Sequence, residues 1–322
     1  MESPGQTQRE RLGRIQHGLL AWFKENAREL PWRRTRDPYA ILVSEVMLQQ
    51  TQVDRVLPYY TRFLERFPTV ENLAAAPTSD VIRIWSGLGY NRRAVNLQRA
   101  ARTVVEELDG SFPDDPAELK KLPGIGAYTA GAIAAFAHER DVAFLDTNMR
   151  RVISRVIFGS ESTREPDALE AANELLPTGH GWTWNQALIE FGALQCTARR
   201  PACIICPLRD ECASYPTMQF ALQLKSSRPS PVKAEPFEST TRFYRGRIVE
   251  VLRALPEDEP EGIPLPELGN RVREGFTSEN LPWLRELVDA LQRDGLALVA
   301  EDSPSYDADR KSAATGPRVR LP

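Results

Sequence analysis

Two acidic side chains stand where carboxyl groups could do acid–base chemistry. On a helix, Glu45 would share a face with aliphatic neighbours such as Leu42 and Leu48. Burial among them would raise the pKa of Glu45 and let it hold a proton near neutral pH, as a general acid requires. Asp146 precedes an amphipathic segment, in the position of a helix N-cap. The simpler interpretations are a carboxyl at the edge of the core for Glu45 and an ordinary cap for Asp146.

All four cysteines lie in one short segment. Their order is Cys196-x6-Cys203-x2-Cys206-x5-Cys212. Four thiols this close together in a cytosolic protein indicate a metal site rather than disulfides. Zinc and a [4Fe–4S] cluster both stay open, because spacing alone does not decide between them. Only three histidines occur in the chain, which disfavours a histidine base or a histidine-rich metal site.

A glycine-rich turn and the helix after Asp146 could hold phosphate. The turn reads Leu122-Pro123-Gly124-Ile125-Gly126, and its glycines allow a tight bend. Exposed N–H groups at the start of the following helix attract phosphate, although many such turns merely connect helices. In the helix after Asp146 an apolar stripe faces the core, and its period leaves three arginines outside: Arg150, Arg151 and Arg155.

Helices are the elements that must position these residues. Apolar spacing predicts helices over residues 9–29, over Tyr39–Thr51, through most of 54–108 and again between 167 and 194. No strand-like alternation occurs before residue 240. Helices of this length joined by short loops predict an all-α bundle.

The C-terminal part has a different pattern. Residues 215–238 are rich in proline and serine and predict a linker. Three helices and two strands then follow, which suggests a winged-helix module that could bind DNA or another protein. The predicted elements are helices Thr241–Leu255, Pro264–Arg273 and Pro282–Asp294 and strands Leu296–Ala300 and Arg318–Leu321.

Composition limits the possible functions. The chain has 322 residues, enough for two or three domains, and its net charge is −3. Contact with DNA must therefore come from local patches and backbone N–H groups rather than from overall charge. No apolar run is long enough to span a bilayer, and Met1–Glu10 is polar rather than signal-like. We expect a cytoplasmic protein.

Several motifs, taken together, indicate one protein family. They are Pro31-Trp32-Arg33, Ser44-Glu45-Val46-Met47-Leu48-Gln49-Gln50-Thr51, Gly87-Leu88-Gly89-Tyr90, the glycine turn, Asp146-x-Asn148-x-x-Arg151-Val152 and the cysteine loop. In this combination the chain resembles the adenine-specific mismatch DNA glycosylases, the MutY family of the helix-hairpin-helix, endonuclease III-like superfamily. The resemblance covers roughly residues 10–214.

The resemblance implies a fold, domains and a cofactor. The fold is an all-α helix-hairpin-helix DNA glycosylase with an iron–sulfur loop, followed by a winged-helix-like α+β module. The implied domains are a six-helix barrel with the hairpin (33–143), a cluster domain (9–32 with 144–214), a linker (215–239) and the winged-helix-like domain (240–322). The cysteine spacing matches the cluster loop of endonuclease III-type enzymes. The resemblance therefore favours a [4Fe–4S] cluster held by the four cysteines.

The resemblance also implies a role for each site residue. Glu45 corresponds to the acid that protonates adenine, and Asp146 to the carboxylate that stabilises or captures the sugar cation. Tyr128 matches a tyrosine beside that aspartate, and Asn148 is expected to orient the site. Trp32, Arg33 and Gln186 match positions lining the base pocket. Expected DNA contacts are Leu48, Gln50, Thr51, Tyr90, Leu122, Gly124 and Gly126, with Gln50 and Tyr90 wedged into the duplex.

The implied reaction is hydrolysis of the bond between adenine and its sugar. One protonated and one ionised carboxyl suit it, because the base must become a better leaving group while the sugar cation is balanced. Bifunctional relatives carry a lysine at position 128, and a tyrosine cannot form their Schiff base. We therefore expect a monofunctional enzyme that removes adenine opposite 8-oxoguanine or guanine and leaves an abasic site.

Departures from the family pattern leave other functions to be weighed. The chain has Gly89-Tyr90-Asn91 where many members have Gly-Tyr-Tyr, and 240–322 are too few and too helical for the usual Nudix-like domain that inspects 8-oxoguanine. Alternatives are a glycosylase for hypoxanthine or for thymine or uracil opposite guanine, and a non-catalytic iron–sulfur DNA-binding regulator. The expected partner is double-stranded DNA with a mismatched or damaged base, bound by a monomer away from membranes.

Overall fold

The protein is predominantly helical. The computed structural model describes residues 4–218, 236–256, 261–300 and 316–322. Its α-helices are α1 (Pro4–Asn26), α2 (Pro38–Leu48), α3 (Val53–Arg66), α4 (Val70–Ala75), α5 (Thr78–Ile84), α6 (Arg92–Glu107), α7 (Pro116–Leu119), α8 (Ala127–Phe136), α9 (Thr147–Phe158), α10 (Glu165–Leu175), α11 (Gly181–Leu194), α12 (Thr241–Arg253), α13 (Leu265–Val272) and α14 (Leu281–Arg293). None of these described helices is long and apolar enough to cross a membrane.

Two compact units divide the chain. The first contains Met1–Glu45 and Phe112–Pro229, and the second contains Val46–Ser111 and Ser230–Pro322, so that the division falls within α2. The four-part domain assignment made from the sequence remains a prediction. Most of its linker, residues 219–235, lies outside the described residues.

Helix α8 is at the centre of the first unit. Its residues from Thr129 to Phe136 are all buried, as expected for a helix that is apolar on every side. Gly131 allows a close neighbour, because a Cβ there would lie 2.6 Å from the Cβ of Phe144. The N-terminus of α8 carries Tyr128, so this rigid packing fixes one predicted site residue.

Helix α1 packs against α11 and ends earlier than its sequence suggests. The rings of Trp22 and Phe191 meet edge to face with centroids 5.0 Å apart. The sequence predicted a helix to residue 29, but α1 ends at Asn26. The backbone N–H of Arg28 instead donates to the Glu190 carboxylate at 2.9 Å, which replaces the helical hydrogen bond it would otherwise make.

The second unit joins the C-terminal module to α5 and α6 through one core. Ile82 and Val95 belong to the same buried cluster as Ile248, Leu268 and Val288 of the module. The three predicted helices are present as α12, α13 and α14. The predicted all-α fold with a small α+β C-terminal module is therefore confirmed.

A small antiparallel sheet completes the module. Its strands are β1 (Ile263–Pro264), β2 (Leu298–Ala300) and β3 (Arg318–Arg320), in the order β1-β3-β2. The predicted pairing of β2 with β3 is present, with Val299 opposite Val319. Strand β1 was not predicted, because two residues are too few to show an alternating pattern.

Candidate active site

Glu45 is a carboxyl group inside a nearly continuous apolar helix. In α2 all residues from Tyr39 to Met47 are buried, and Glu45 itself is 5% exposed. Burial, helped by the nearby charge of Asp146 and opposed by Tyr128 and Arg33, raises the pKa of Glu45 to about 7. Glu45 can therefore carry a proton at neutral pH, as a general acid must.

Tyr128 links the two acidic groups. Its hydroxyl is hydrogen-bonded to the Glu45 carboxyl, and its ring meets Phe144 edge to face with centroids 5.4 Å apart. Burial raises the pKa of Tyr128 well above its usual value, and the charges of Glu45 and Asp146 add to the shift. Tyr128 therefore remains a neutral phenol beside both carboxyl groups.

Asp146 is held by hydrogen bonds at the N-terminus of α9. One carboxylate oxygen accepts from the Met149 backbone N–H at 2.6 Å, and the other accepts from the Asn148 amide at 2.9 Å. Burial raises the pKa of Asp146, while these hydrogen bonds and the charge of Arg151 oppose the rise by favouring the carboxylate. The helix cap inferred from the sequence is present, and it also fixes Asp146 next to Tyr128 and Glu45.

Arg151 connects Asn148 to the segment that carries the first cysteine. Its guanidinium donates to the Asn148 side-chain oxygen at 2.9 Å and to the backbone carbonyls of Gly192 at 2.6 Å and Cys196 at 2.9 Å. The Asn148 amide in turn donates to Asp146. A single arginine thus orients the amide that holds the carboxylate and also fixes the start of the cysteine loop.

Replacing Arg151 with glutamine should weaken both properties that the resemblance implies, adenine excision and retention of an iron–sulfur cluster. We expect losses of about 10–100-fold in excision rate, typical for groups that orient a ligand without contacting the metal. Single-turnover excision and iron content per chain measure the two effects. Among the described residues, the neighbouring Arg150 donates only to the Thr163 carbonyl, so Arg150→Gln is the matched control. Equal behaviour of the two variants would contradict this role.

The predicted base-pocket residues form part of a charged network. Arg33 donates to the Gln186 side-chain oxygen at 2.7 Å and to the Glu190 carboxylate at 2.9 Å, while Arg28 donates to the same carboxylate at 2.8 Å. Trp32 is buried in the 3₁₀ turn Pro31–Arg33. Burial alone would raise the pKa of Glu190, but the two guanidinium groups lower it to about 2.

Glu190 was missed at the sequence level. It lies four residues after Gln186 in α11 and therefore on the same helix face, which was the available signal. It is completely buried, and it holds the guanidinium of Arg33, whose side chain is 8% exposed. Removing one partner of such a pair leaves an uncompensated buried charge.

Substitution of Glu190 by glutamine should lower the free energy of unfolding. A pKa of about 2 in the folded state, against 4.5 for the ordinary group, corresponds to about 3 kcal/mol that is present above pH 4.5 and lost as pH falls towards 2. In urea denaturation, the free energy of unfolding of the variant should lie below that of wild type by the same amount at every pH between 6 and 8. The exposed pair of Glu29 and Arg34 gives the control, because Glu29→Gln should change stability by only about 0–1 kcal/mol. A Glu190→Gln variant as stable as Glu29→Gln would contradict the prediction.

The glycine turn forms a hairpin between α7 and α8. Leu122 and Ile125 are 4% and 6% exposed and anchor the turn, while Gly124 has a φ of +78° that favours glycine. Gly126 is exposed, and a Cβ there would meet nothing within 4 Å. The turn therefore offers backbone rather than side chains to a partner, and a DNA contact at Leu122 would be made by its backbone.

The other predicted DNA contacts lie in two loops of the second unit. The sequence predicted a helical segment through Thr51, but α2 ends at Leu48, and Gln50 is exposed with a φ of +57°. Tyr90 is 39% exposed and has a φ of +45°. A positive φ is costly for residues with side chains, so both positions need support from their surroundings.

Arg93 provides that support and was not predicted from the sequence. Its guanidinium donates to the Gln49 carbonyl at 2.6 Å and also to the carbonyls of Val46 and Met47, so it binds the free carbonyls at the end of α2. The same group donates to the Gly89 carbonyl at 3.3 Å in the other loop. One half-buried cation thereby fixes both exposed loops.

The four cysteines line one cavity together with Arg155 and Arg209. Burial, together with the charges of the other cysteines, raises the pKa of Cys206 to about 12, so thiolates here need a compensating positive charge. Among the described residues no three metal-binding side chains converge on a single ion. In a [4Fe–4S] cubane, each of four thiolates binds a different iron. Cys196, Cys203, Cys206 and Cys212 would hold such a cluster, whose contribution is to fold this loop.

Arg155 corrects one inference drawn from helical periodicity. We placed it outside the protein, but it is 3% exposed. Its guanidinium pairs with Glu161 at 2.8 Å, donates to the Thr197 carbonyl at 2.8 Å and lies 3.6 Å from the Cys196 sulfur. The period of α9 shows which face turns away from one core, but it does not show that the cysteine loop covers that face.

Comparison with known proteins places these features in one family. The family model described as HhH-GPD superfamily base excision DNA repair protein matches residues 43–178, and the iron–sulfur binding domain of endonuclease III matches residues 196–212. These matches confirm the predicted [4Fe–4S] cofactor. Adenine DNA glycosylase of Mycolicibacterium smegmatis is 42% identical over 243 residues, which are 73% of this chain and 79% of that protein.

Other relatives and solved structures agree with this placement. Human adenine DNA glycosylase is 43% identical over 207 residues, 60% of this chain and 38% of the human protein. A thermostable thymine-DNA glycosylase has a similar structure, with a TM-score of 0.62, 30% identity and coverage of 65% of this chain and 99% of that one. A trapped endonuclease III–DNA complex shares the fold, with a TM-score of 0.58, 24% identity and coverage of 68% and 100%. This chain belongs to the adenine DNA glycosylases, within the HhH-GPD superfamily of base excision DNA repair proteins.

Proposed function

We propose that this adenine DNA glycosylase removes adenine mispaired with 8-oxoguanine or guanine and leaves an abasic site. The observation that carries the proposal is the linked trio of Glu45, Tyr128 and Asp146, in which burial raises the pKa of Glu45 to about 7. A carboxyl group that still holds its proton beside a second, hydrogen-bonded carboxylate suits cleavage of a glycosidic bond.

In the proposed reaction the adenine first leaves the base stack, which costs a few kcal/mol. The Glu45 carboxyl donates its proton to a ring nitrogen of adenine as the bond from C1′ to N9 breaks, and the bonding electrons leave with the base. The Asp146 carboxylate balances the positive charge on the sugar. Water then adds its oxygen to C1′, and the proton it releases restores the Glu45 carboxyl.

Tyr128 makes the proposed enzyme monofunctional. A phenol has no amine with which to form a Schiff base at C1′, so the sugar–phosphate strand should stay intact after the base is lost. Borohydride should accordingly trap no covalent adduct. Cutting of the strand without added alkali would contradict this part of the proposal.

The other proposed roles follow from placement. Arg33 and Gln186 are hydrogen-bonded to each other at 2.7 Å, and Arg33 lies close enough to lower the pKa of Glu45, so both suit contact with the extruded base. The glycine hairpin suits a backbone phosphate. We infer that the protein acts as a monomer on double-stranded DNA in the cytoplasm of a bacterial-type cell.

A duplex panel tests the proposed substrate. Duplexes with A·8-oxoG, A·G, I·T, T·G and U·G pairs are incubated with the enzyme and then treated with alkali, which cuts at abasic sites. Cleavage at adenine in the first two is the expected result. The structural likeness to a thymine-DNA glycosylase makes T·G the main rival. Cleavage of T·G and U·G alone would overturn the adenine assignment.

A further inference from the structure

The second unit contains an arginine-rich groove that the proposed chemistry does not use. Loop residues Gly87, Gly89, Tyr90 and Asn91 form one part of its wall, and α12 forms another. The arginines that line this arginine groove are Arg55, Arg92, Arg93, Arg242, Arg245, Arg247 and Arg253. Glu250 is the one acidic residue in the lining. This local excess of positive charge contrasts with a net charge of −3 for the whole chain.

Two arginines of the arginine groove, Arg93 and Arg253, are held by hydrogen bonds. Arg253 is largely buried and donates to the Ile82 carbonyl at 2.9 Å and to the Asn91 side-chain oxygen at 2.8 Å. Arg93 binds the carbonyls of both exposed loops, as described above. Arg253 therefore joins the module to the loop at Asn91, while Arg93 joins that loop to the end of α2.

Other arginines of the groove have a positive charge that carboxylates among the described residues do not fully neutralise. Arg242 and Arg247 are exposed, and neither forms an ion pair with a carboxylate among the described residues. Arg92 and Arg245 share a single carboxylate, that of Asp294, and the Arg92 side chain is 65% exposed. Guanidinium groups in such a position match the geometry of phosphate oxygens.

Aromatic rings alternate with these cations. The guanidinium of Arg242 lies over the ring of Tyr90, 4.1 Å from its centroid, and that of Arg247 lies 5.8 Å from the centroid of Phe243. Phe237 also lines the groove and is 55% exposed. Positive grooves interleaved with aromatic rings are typical of nucleic-acid binding surfaces.

A glycine in the middle of α12 points to close approach by a ligand. Gly246 lines the arginine groove, and a Cβ there would meet nothing within 4 Å. A glycine inside a helix is destabilising relative to alanine, and packing does not require one at this position. The absence of a side chain keeps this part of the groove wall open.

We propose that the arginine groove binds the sugar–phosphate backbone of the substrate duplex, with Arg242 and Arg247 as phosphate ligands. The C-terminal module is then part of the DNA-binding surface rather than a site for another protein. This inference rests on the proposed function for the identity of the duplex. We choose DNA as the occupant because of charge complementarity. Each phosphate carries a negative charge, and the exposed Arg242 and Arg247 have no carboxylate partner among the described residues.

The salt dependence of duplex binding tests the inference. Binding of the full-length holoprotein to a duplex without a mismatch is measured at several NaCl concentrations, for wild type and for the double variant Arg242→Gln/Arg247→Gln. Each lost phosphate contact should reduce the slope of log K against log salt by about 0.9, so the double variant should lose about 1.8. The matched control is Arg293→Gln/Arg320→Gln, which removes two exposed arginines of the same module outside the groove.

A second variant covers the case in which the double variant folds poorly. Gly246→Glu leaves every arginine in place, has room for its side chain and puts a carboxylate into the groove. It should weaken duplex binding, and Gly246→Ala, which adds only an uncharged methyl group, should weaken it much less. Slopes equal to those of the control, together with unaltered binding by Gly246→Glu, would overturn the inference and favour an acidic protein as the occupant.

The two proposals can fail separately. If the wild-type protein removes adenine but all variants bind DNA with equal salt slopes, the proposed function stands and the proposal for the arginine groove fails. If the wild-type protein removes no adenine but the groove variants show the reduced salt slope, the arginine groove stands as a DNA site and the proposed substrate is wrong.

Discussion

Replacement of Glu45 by glutamine should reduce adenine excision by about 10²–10⁴-fold at pH 7. Glutamine preserves the shape of the side chain but has no proton of suitable acidity to give to the departing base. The buried position of Glu45 in α2, with Tyr128 hydrogen-bonded to it, leaves water little opportunity to take over the proton transfer. Single-turnover kinetics with enzyme in excess over an A·8-oxoG duplex measure this rate directly.

The same variant should be more stable than wild type above neutral pH. The Glu45 pKa is about 7 in the folded protein against 4.5 for the ordinary group, so the unfolded state releases its proton first. The free energy of unfolding of wild type therefore falls as pH rises from 4.5 to 7, by about 3 kcal/mol in total. Glu45→Gln escapes this loss, and its advantage should disappear towards pH 4.5. An inactive variant that is also less stable at pH 8 would indicate misfolding instead.

Asp146→Asn should lower excision by about 10²–10³-fold, because a neutral amide cannot balance the charge that develops on the sugar. Asparagine is as good an N-cap as aspartate, so the hydrogen bond from the Met149 N–H should survive and α9 should keep its start. Duplex binding should therefore be retained while turnover is lost. Quantitative binding and single-turnover measurements on the same preparation separate these two properties.

The chain offers a matched control for this substitution. Asp115 is also a helix N-cap, and its carboxylate accepts from the Ala117 N–H at 2.7 Å. Asp115→Asn makes the same chemical change at a comparable cap away from Glu45 and Tyr128, and it should leave excision unchanged. An Asp146→Asn enzyme as fast as Asp115→Asn would show that the Asp146 charge takes no part in the reaction.

The sequence was most informative where a local pattern carries the chemistry. Glu45 on the aliphatic face of α2 and Asp146 at the start of α9 were both predicted from spacing, and both lie where that spacing put them. The fold class and the cysteine loop were predicted with them. Each of these features depends on residues that are close together in the chain.

Features that depend on distant residues could not be predicted in this way. Glu190 is charged at neutral pH only because Arg28 and Arg33 reach it from another segment. Arg155 is buried because the cysteine loop folds over α9. The bend after Leu48 follows from Arg93, more than forty residues later, which binds the last carbonyls of α2. In each case the outcome depends on hydrogen bonds between residues that are far apart in the chain.

The pH dependence of adenine excision tests the central claim most directly. Below the Glu45 pKa of about 7 the acid is protonated, so kcat/KM for an A·G duplex should be nearly independent of pH from about one unit below that pKa downwards and should fall towards tenfold per unit from about one unit above it. In Glu45→Gln the residual rate should lack this alkaline limb. A wild-type rate that stays level to pH 8.5, or an identical alkaline limb in the variant, would contradict the role of Glu45 as the proton donor.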